Sequence, residues 1–245
     1  MNDYISGYER SRKALGSGLQ RYMIKLYGHV SLALLLTAVG AVATLTFAPL
    51  SRLIFKFDFL GNFVGYTGLG IVIAFAPFAI SIYLSANFFK LSFSRSRLIL
   101  AIYAILTGCS LASLAFYYTI DSLHKTFLIT AVTFGCMSMY GYSTRRDLTS
   151  IGSFCVMAIW GLIISAVVNI FLRSDAVNFV TSFVGVVVFT LFVAYNTQKL
   201  KELYYEVQDT DLAEKAALMG AFSLYINFLN LFLYLLRFFG ERKRK

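Results

Sequence analysis

The sequence predicts an all-α membrane protein with seven transmembrane helices, and three observations predict it. Of the 245 residues, 58% are hydrophobic and 14% are charged, against roughly 45–50% and about 25% in an ordinary soluble domain. At about 20 residues per bilayer-crossing helix, those apolar residues would fill roughly seven spans. The ions, moreover, sit in short connections between long uncharged runs. Lipid-facing barrel strands alternate apolar and polar residues, and these runs do not. The composition excludes a soluble globular enzyme, disorder and a disulfide scaffold, because three cysteines cannot staple a chain of this size.

Residues 1–25 are polar and mixed in charge, with Asp3, Glu9, Arg10, Arg12, Lys13, Arg21 and Lys25. The apolar run that follows exceeds the h-region of a cleaved signal, so the segment reads as a retained cytoplasmic tail. The membrane domain reads as residues 26–240. Its spans are Leu26–Leu50, Gly61–Phe89, Leu98–Ile120, Thr126–Thr144, Leu148–Leu172, Ala176–Gln198 and Ala216–Leu236, each near or above the length of about 18 residues that crossing needs. Residues 241–245 form a basic C-terminal tail.

Orientation follows from Lys and Arg near the span ends. With the N-terminus inside, inside segments hold 13 of them and outside segments nine, five of those nine at the C-terminal end (Arg237, Arg242, Lys243, Arg244 and Lys245). The imbalance predicts a cytoplasmic N-terminus, while the terminal cluster opposes it. The last helix either crosses despite its basic end or is re-entrant, and its length favours crossing.

None of the seven runs contains Asp, Glu, Lys or Arg, the usual marks of proton relays and counter-ions in a membrane. The chain therefore lacks a retinal lysine or an intramembrane aspartate pair. With two distant histidines it also lacks a zinc-protease motif. His29 reads as an interfacial hydrogen-bonder, and His124 has no visible partner. Cys109, Cys136 and Cys155 read as packing thiols, and no cofactor, metal site or enzymatic activity is expected. The terminal basic run reads as a headgroup anchor rather than a nucleic-acid site. What remains is polar and uncharged. Ser223, Asn227, Asn230 and Tyr234 step by four, three and four along one helix face, and Asn196 sits near the end of the preceding span. Such a face is either interhelical glue or a polar path through the bundle.

Three segments carry a resemblance: Tyr140–Leu148, Ala194–Leu200 and Met219–Phe232. In them the chain resembles the Bax inhibitor-1 family, most of all its bacterial branch, from about Arg21 to Gly240. The resemblance implies seven helices with the last one central in the bundle, and a bacterial inner-membrane location. For characterised members it implies a calcium leak gated by pH. In some bacterial members it implies a regulatory contact with a membrane-bound ATP-dependent protease, and mammalian relatives suppress cell death. The expected partners are thus the lipid bilayer, a cation such as calcium, and such a protease. The family's pH sensor is a pair of aspartates whose positions here are Asn196 and Asn227, with Ser223, Asn230 and Tyr234 as the supporting face. The family's arginine partner in the second span is also missing, since Gly61–Phe89 carries no cation. Two nearby carboxylates push one pKa toward neutrality, and asparagine has no such proton. The expectation is the family fold without its pH gate, either as a cation leak or as a non-transporting regulator.

Overall fold

The computed structural model describes residues 2–208, 210 and 212–243, without the side chains of residues 2–15 and 89. The tail charges from Asp3 to Lys13, the acids Asp209 and Asp211, and Arg244 and Lys245 lie outside what is described. Along the chain run α1 (Asn2–Thr46), α2 (Ala48–Ile54), β1 (Phe55–Phe57), β2 (Phe63–Tyr66), α3 (Gly68–Asn87), a 3-10 turn (Phe88–Lys90), α4 (Phe93–Leu111), α5 (Leu114–Tyr117), α6 (Ile120–Ser143), α7 (Thr149–Leu172), α8 (Asp175–Val207) and α9 (Ala213–Phe239).

Among the described residues, six helical segments are long and apolar enough to cross a membrane: Gly16–Thr46, Gly68–Asn87, Phe93–Tyr117, Thr149–Leu172, Asp175–Val207 and Ala213–Phe239. The one expected span that falls short is α6. Five Ser and Thr residues, two tyrosines and two glycines between 126 and 143 lower its mean hydropathy. Part of that polarity is internal, because Thr130 donates to the Thr126 carbonyl at 2.7 Å.

The polar tail is helical and continuous with the first span in α1, and one expected boundary is corrected. Gly61–Phe89 is not one helix, because Phe63–Tyr66 forms β2 and pairs antiparallel with the preceding β1 in a hairpin. Asp58 accepts the N–H groups of Leu60 and Asn62 through Oδ1 at 2.9 and 2.7 Å, and Gly61 turns the chain at φ 80°, where a side chain is disfavoured. The helix begins only after Thr67, whose hydroxyl accepts the Gly70 N–H at 2.9 Å as an N-cap. Apolar packing fixes the hairpin, with Phe63 stacked on Phe116 at 4.7 Å between centroids.

The polarity is that of a membrane bundle. Only 11% of the apolar window is buried in α3 and in α7, so their large apolar side chains face outward, as Phe75, Phe78 and Trp160 do. For α9 the figure is 61%. It packs against α1, α4, α6 and α8 and buries Leu218, Leu224, Tyr225 and Leu231 completely. The last helix therefore occupies the middle of the bundle.

Contacts between elements define two ends. At the first, Lys25 of α1 pairs with Glu214 of α9 at 2.7 Å, His29 meets Phe93 edge-on, and Lys201 of α8 donates to the Tyr142 carbonyl at 2.8 Å. At the second, the chain after α9 pairs with the segment before α6: Thr119 N–H to the Glu241 carbonyl at 3.2 Å, and Lys243 N–H to the Tyr117 carbonyl at 2.9 Å. Thus α9 runs from one end of the bundle to the other and does not turn back.

Candidate functional site

The candidate residues lie where α8 meets α9. A side chain at Gly220 would touch Leu200, and one at Gly185 would strike the ring of Tyr234, so the helices are antiparallel in a defined register. That register sets Asn196 level with Ser223 and places Asn227 about one turn further, roughly 5 Å along the axis. On α9, Gly220, Leu224, Asn227, Leu231 and Tyr234 step by four and three. On α8, Gly185, Phe189, Asn196 and Leu200 step by four, seven and four. Residues so spaced share one helix face, so both asparagines belong to the facing stripes.

Asn227 is 3% exposed, and Asn196 is half-buried. Each buries an Nδ2 that has no hydrogen-bond partner among the described residues. A buried donor left unpaired costs about 1–3 kcal/mol, and two of them on one interface make the α8–α9 contact the candidate site. The supporting face divides. Asn230 donates to the Ile226 carbonyl of its own helix at 3.0 Å. Tyr234 stacks on Phe189 at 5.5 Å, and Ser223 is half-buried at the level of Asn196. Chemically the site offers carbonyl oxygens, amide N–H groups and a hydroxyl. It holds no carboxylate or basic side chain, because residues 176–198 and 216–236 contain no Asp, Glu, Lys, Arg or His.

Fixed contacts surround this site. Next to Asn196, Thr197 meets Tyr27 of α1 at 3.4 Å. Gln198 accepts the Leu148 N–H at 2.9 Å and donates to the Arg146 carbonyl at 2.8 Å, clamping the α6–α7 connection to α8. On α9, the Tyr225 hydroxyl meets the Thr37 hydroxyl at 2.6 Å, and Thr37 also lies within hydrogen-bond reach of the carbonyls of Ala33 and Ala104. A side chain at Gly141 of α6 would strike the Ala194 carbonyl of α8, so these backbones meet where only glycine fits. Sequence reasoning placed Gln198 in a motif without a role and passed over Thr37 and Tyr225, which look like isolated polar residues in apolar runs.

A family model for the inhibitor of apoptosis-promoting Bax1 matches residues 19–244, nearly the whole of this bundle. The chain belongs to the Bax inhibitor-1 family. The Bax inhibitor-1 match covers α9, the α6–α7 clamp and both asparagines. Among similar proteins, the uncharacterized protein RP147 of Rickettsia prowazekii is 45% identical over 231 residues, 94% of each chain. The inner membrane protein YbhL of Escherichia coli is 40% identical over 229 residues, 93% of this chain and 94% of its own. An uncharacterized protein of Caulobacter vibrioides is 39% identical over 253 residues, covering 99% of this chain and all of its own. Family membership and six apolar helices together make this chain a multi-pass membrane protein.

Proposed function

We propose that this chain crosses a bacterial inner membrane seven times with its N-terminus in the cytoplasm, and that it is a calcium leak-type protein without a pH gate. What supports the seventh crossing is α6. At 24 residues it is about 36 Å long, and it reaches from the clamp at Tyr142 to Ser122, whose hydroxyl accepts the Glu241 N–H at 3.0 Å at the other end. The location follows the similarity to YbhL. The orientation follows the excess of Lys and Arg at the first end, which carries Lys25, Arg97, Arg146 and Lys201.

The leak reading rests on one observation: two carboxamides on facing stripes of α8 and α9, each with a buried Nδ2 that has no partner among the described residues. An amide is shaped like a protonated carboxyl, so Asn196 and Asn227 keep the α8–α9 contact in the form the family's aspartates take when protonated. Water can satisfy both amides, and their carbonyl oxygens can coordinate a hard cation such as calcium. Because neither titrates, the conductance is the same at either side of neutrality. Calcium entry into proteoliposomes across that pH range tests this reading.

A second reading is a non-transporting regulator that binds membrane machinery such as an ATP-dependent membrane protease. It is favoured by a groove of about 840 Å³ between α1, α6 and α9. Gly16, Gly28, Ser31, Gly135 and Ser138 line it, and small residues of this kind admit a partner helix closely. Absence of flux together with a co-purifying protease would select this reading.

A further inference from the structure

The basic C-terminal end, which opposes the charge bias of the rest of the chain, takes part in a defined arrangement. Two cavities of about 360 and 440 Å³ adjoin at the second end of the bundle, between α7, α8 and α9, and share Asn178 and Arg237. The first is also lined by Asn169, Arg173 and Thr181, and the second by Arg242. None of the three guanidinium groups is ion-paired among the described residues. Among the described residues, one carboxylate, Asp175, lines the second cavity, so three cations face one anion.

The groups are positioned by the fold. Arg173 ends α7 in the left-handed conformation at φ 49°, which a non-glycine residue adopts at a cost. Asn169 holds that turn, accepting the Ser174 N–H at 2.9 Å and donating to Asn178 Oδ1 at 2.8 Å. The Nδ2 of Asn178 thereby stays available to the cavities. Arg237 lies over the Tyr234 ring at 5.8 Å. Arg242 is set by its bridge to Tyr118, and beside it Lys243 donates to the Ala115 carbonyl at 2.7 Å. Ile170 and Phe179 line the same cavities and are 67% and 62% exposed, so an apolar flank continues directly from the cationic one.

We infer that this double cavity binds a phosphate-bearing anion, with the guanidinium groups of Arg173, Arg237 and Arg242 and the Asn178 amide as donors. Planar guanidinium forks match phosphate oxygens in pairs. The exposed Ile170 and Phe179 suit the acyl chains of an anionic phospholipid, and basic pockets between transmembrane helices hold such headgroups. The same donors fit free phosphate, so the source of the phosphate is part of the test.

The test is native mass spectrometry of the full chain in detergent, titrated with phosphatidylglycerol or phosphatidylcholine, alongside thermal unfolding with inorganic phosphate. Wild type should retain phosphatidylglycerol at concentrations where phosphatidylcholine is lost. Arg173→Gln with Arg237→Gln should weaken retention roughly thirtyfold, and Arg173→Lys with Arg237→Lys, which keeps the charge but loses the paired donors, should weaken it by a clearly smaller factor. Arg52→Gln with Lys56→Gln, cations of the same end outside the cavities, should leave it unchanged. Inorganic phosphate that alone stabilises wild type but not the Gln pair, with no preference between lipids, would assign the site to free phosphate. Equal retention of both lipids with no effect of phosphate, or equal losses in the two double variants, would overturn the inference.

Discussion

Gln198 closes both of its hydrogen bonds on one short stretch of backbone, taking the Leu148 N–H at 2.9 Å and giving to the Arg146 carbonyl at 2.8 Å. Leu148 itself is buried. Gln198→Ala leaves these main-chain groups without partners and should cost about 1–3 kcal/mol, read as a lowered midpoint of thermal unfolding in detergent. An unchanged midpoint would mean that the clamp contributes nothing to holding α6 and α7 on α8.

The hydroxyl pair between α1 and α9 is smaller in effect. Tyr225→Phe removes the group that meets Thr37 at 2.6 Å while keeping the ring that fills the core. Thr37 retains the Ala33 and Ala104 carbonyls, so the loss should be about 0.5–1.5 kcal/mol, measured by the same unfolding experiment.

Glycines of one type separate by position. Gly141→Leu would drive a side chain into the Ala194 carbonyl and should cost about 1–3 kcal/mol or more, because the backbones must part. Gly161→Ala meets no atom within 4 Å and should stabilise α7 by up to about 1 kcal/mol. Thermal midpoints of the two variants should move in opposite directions.

One acid sensitivity lies outside the spans. The Thr149 side chain and main-chain N–H hold the exposed Asp147 carboxyl below its ordinary pKa. A depressed folded pKa adds stability above the unfolded value of about 3.9, which is lost as pH falls through the folded value. Asp147→Asn should therefore flatten the fall of the unfolding midpoint below about pH 4, and it should leave the behaviour near neutrality unchanged.

The legible parts of the fold are those that depend on runs. Leu148–Leu172 marks α7 to within one residue, because a crossing helix must be apolar along its length. The β1–β2 hairpin was not legible, since its strands are three and four residues long and aromatic contacts with Phe116 hold them from outside. The polar stripe of α9 was legible by spacing, and the tie of Asn230 to its own backbone was not. The Gln198 clamp joins positions 50 and 52 residues apart, and no periodicity encodes such a pairing. The register that sets Asn196 within a turn of Asn227 likewise depends on Gly185 and Gly220, whose partners only the packed helices reveal.

The central claim is that Asn196 and Asn227 form a cation path that does not titrate. The direct test is calcium entry into proteoliposomes between about pH 6 and pH 8, in a chain also carrying His29→Gln and His124→Gln, since imidazoles as a class change charge in that window. Entry should exceed that of protein-free liposomes and vary by no more than about twofold, whereas adding Asn196→Asp and Asn227→Asp should make it steeply pH-dependent. Steep pH dependence with both asparagines in place, or entry no faster than in protein-free liposomes, would contradict the account.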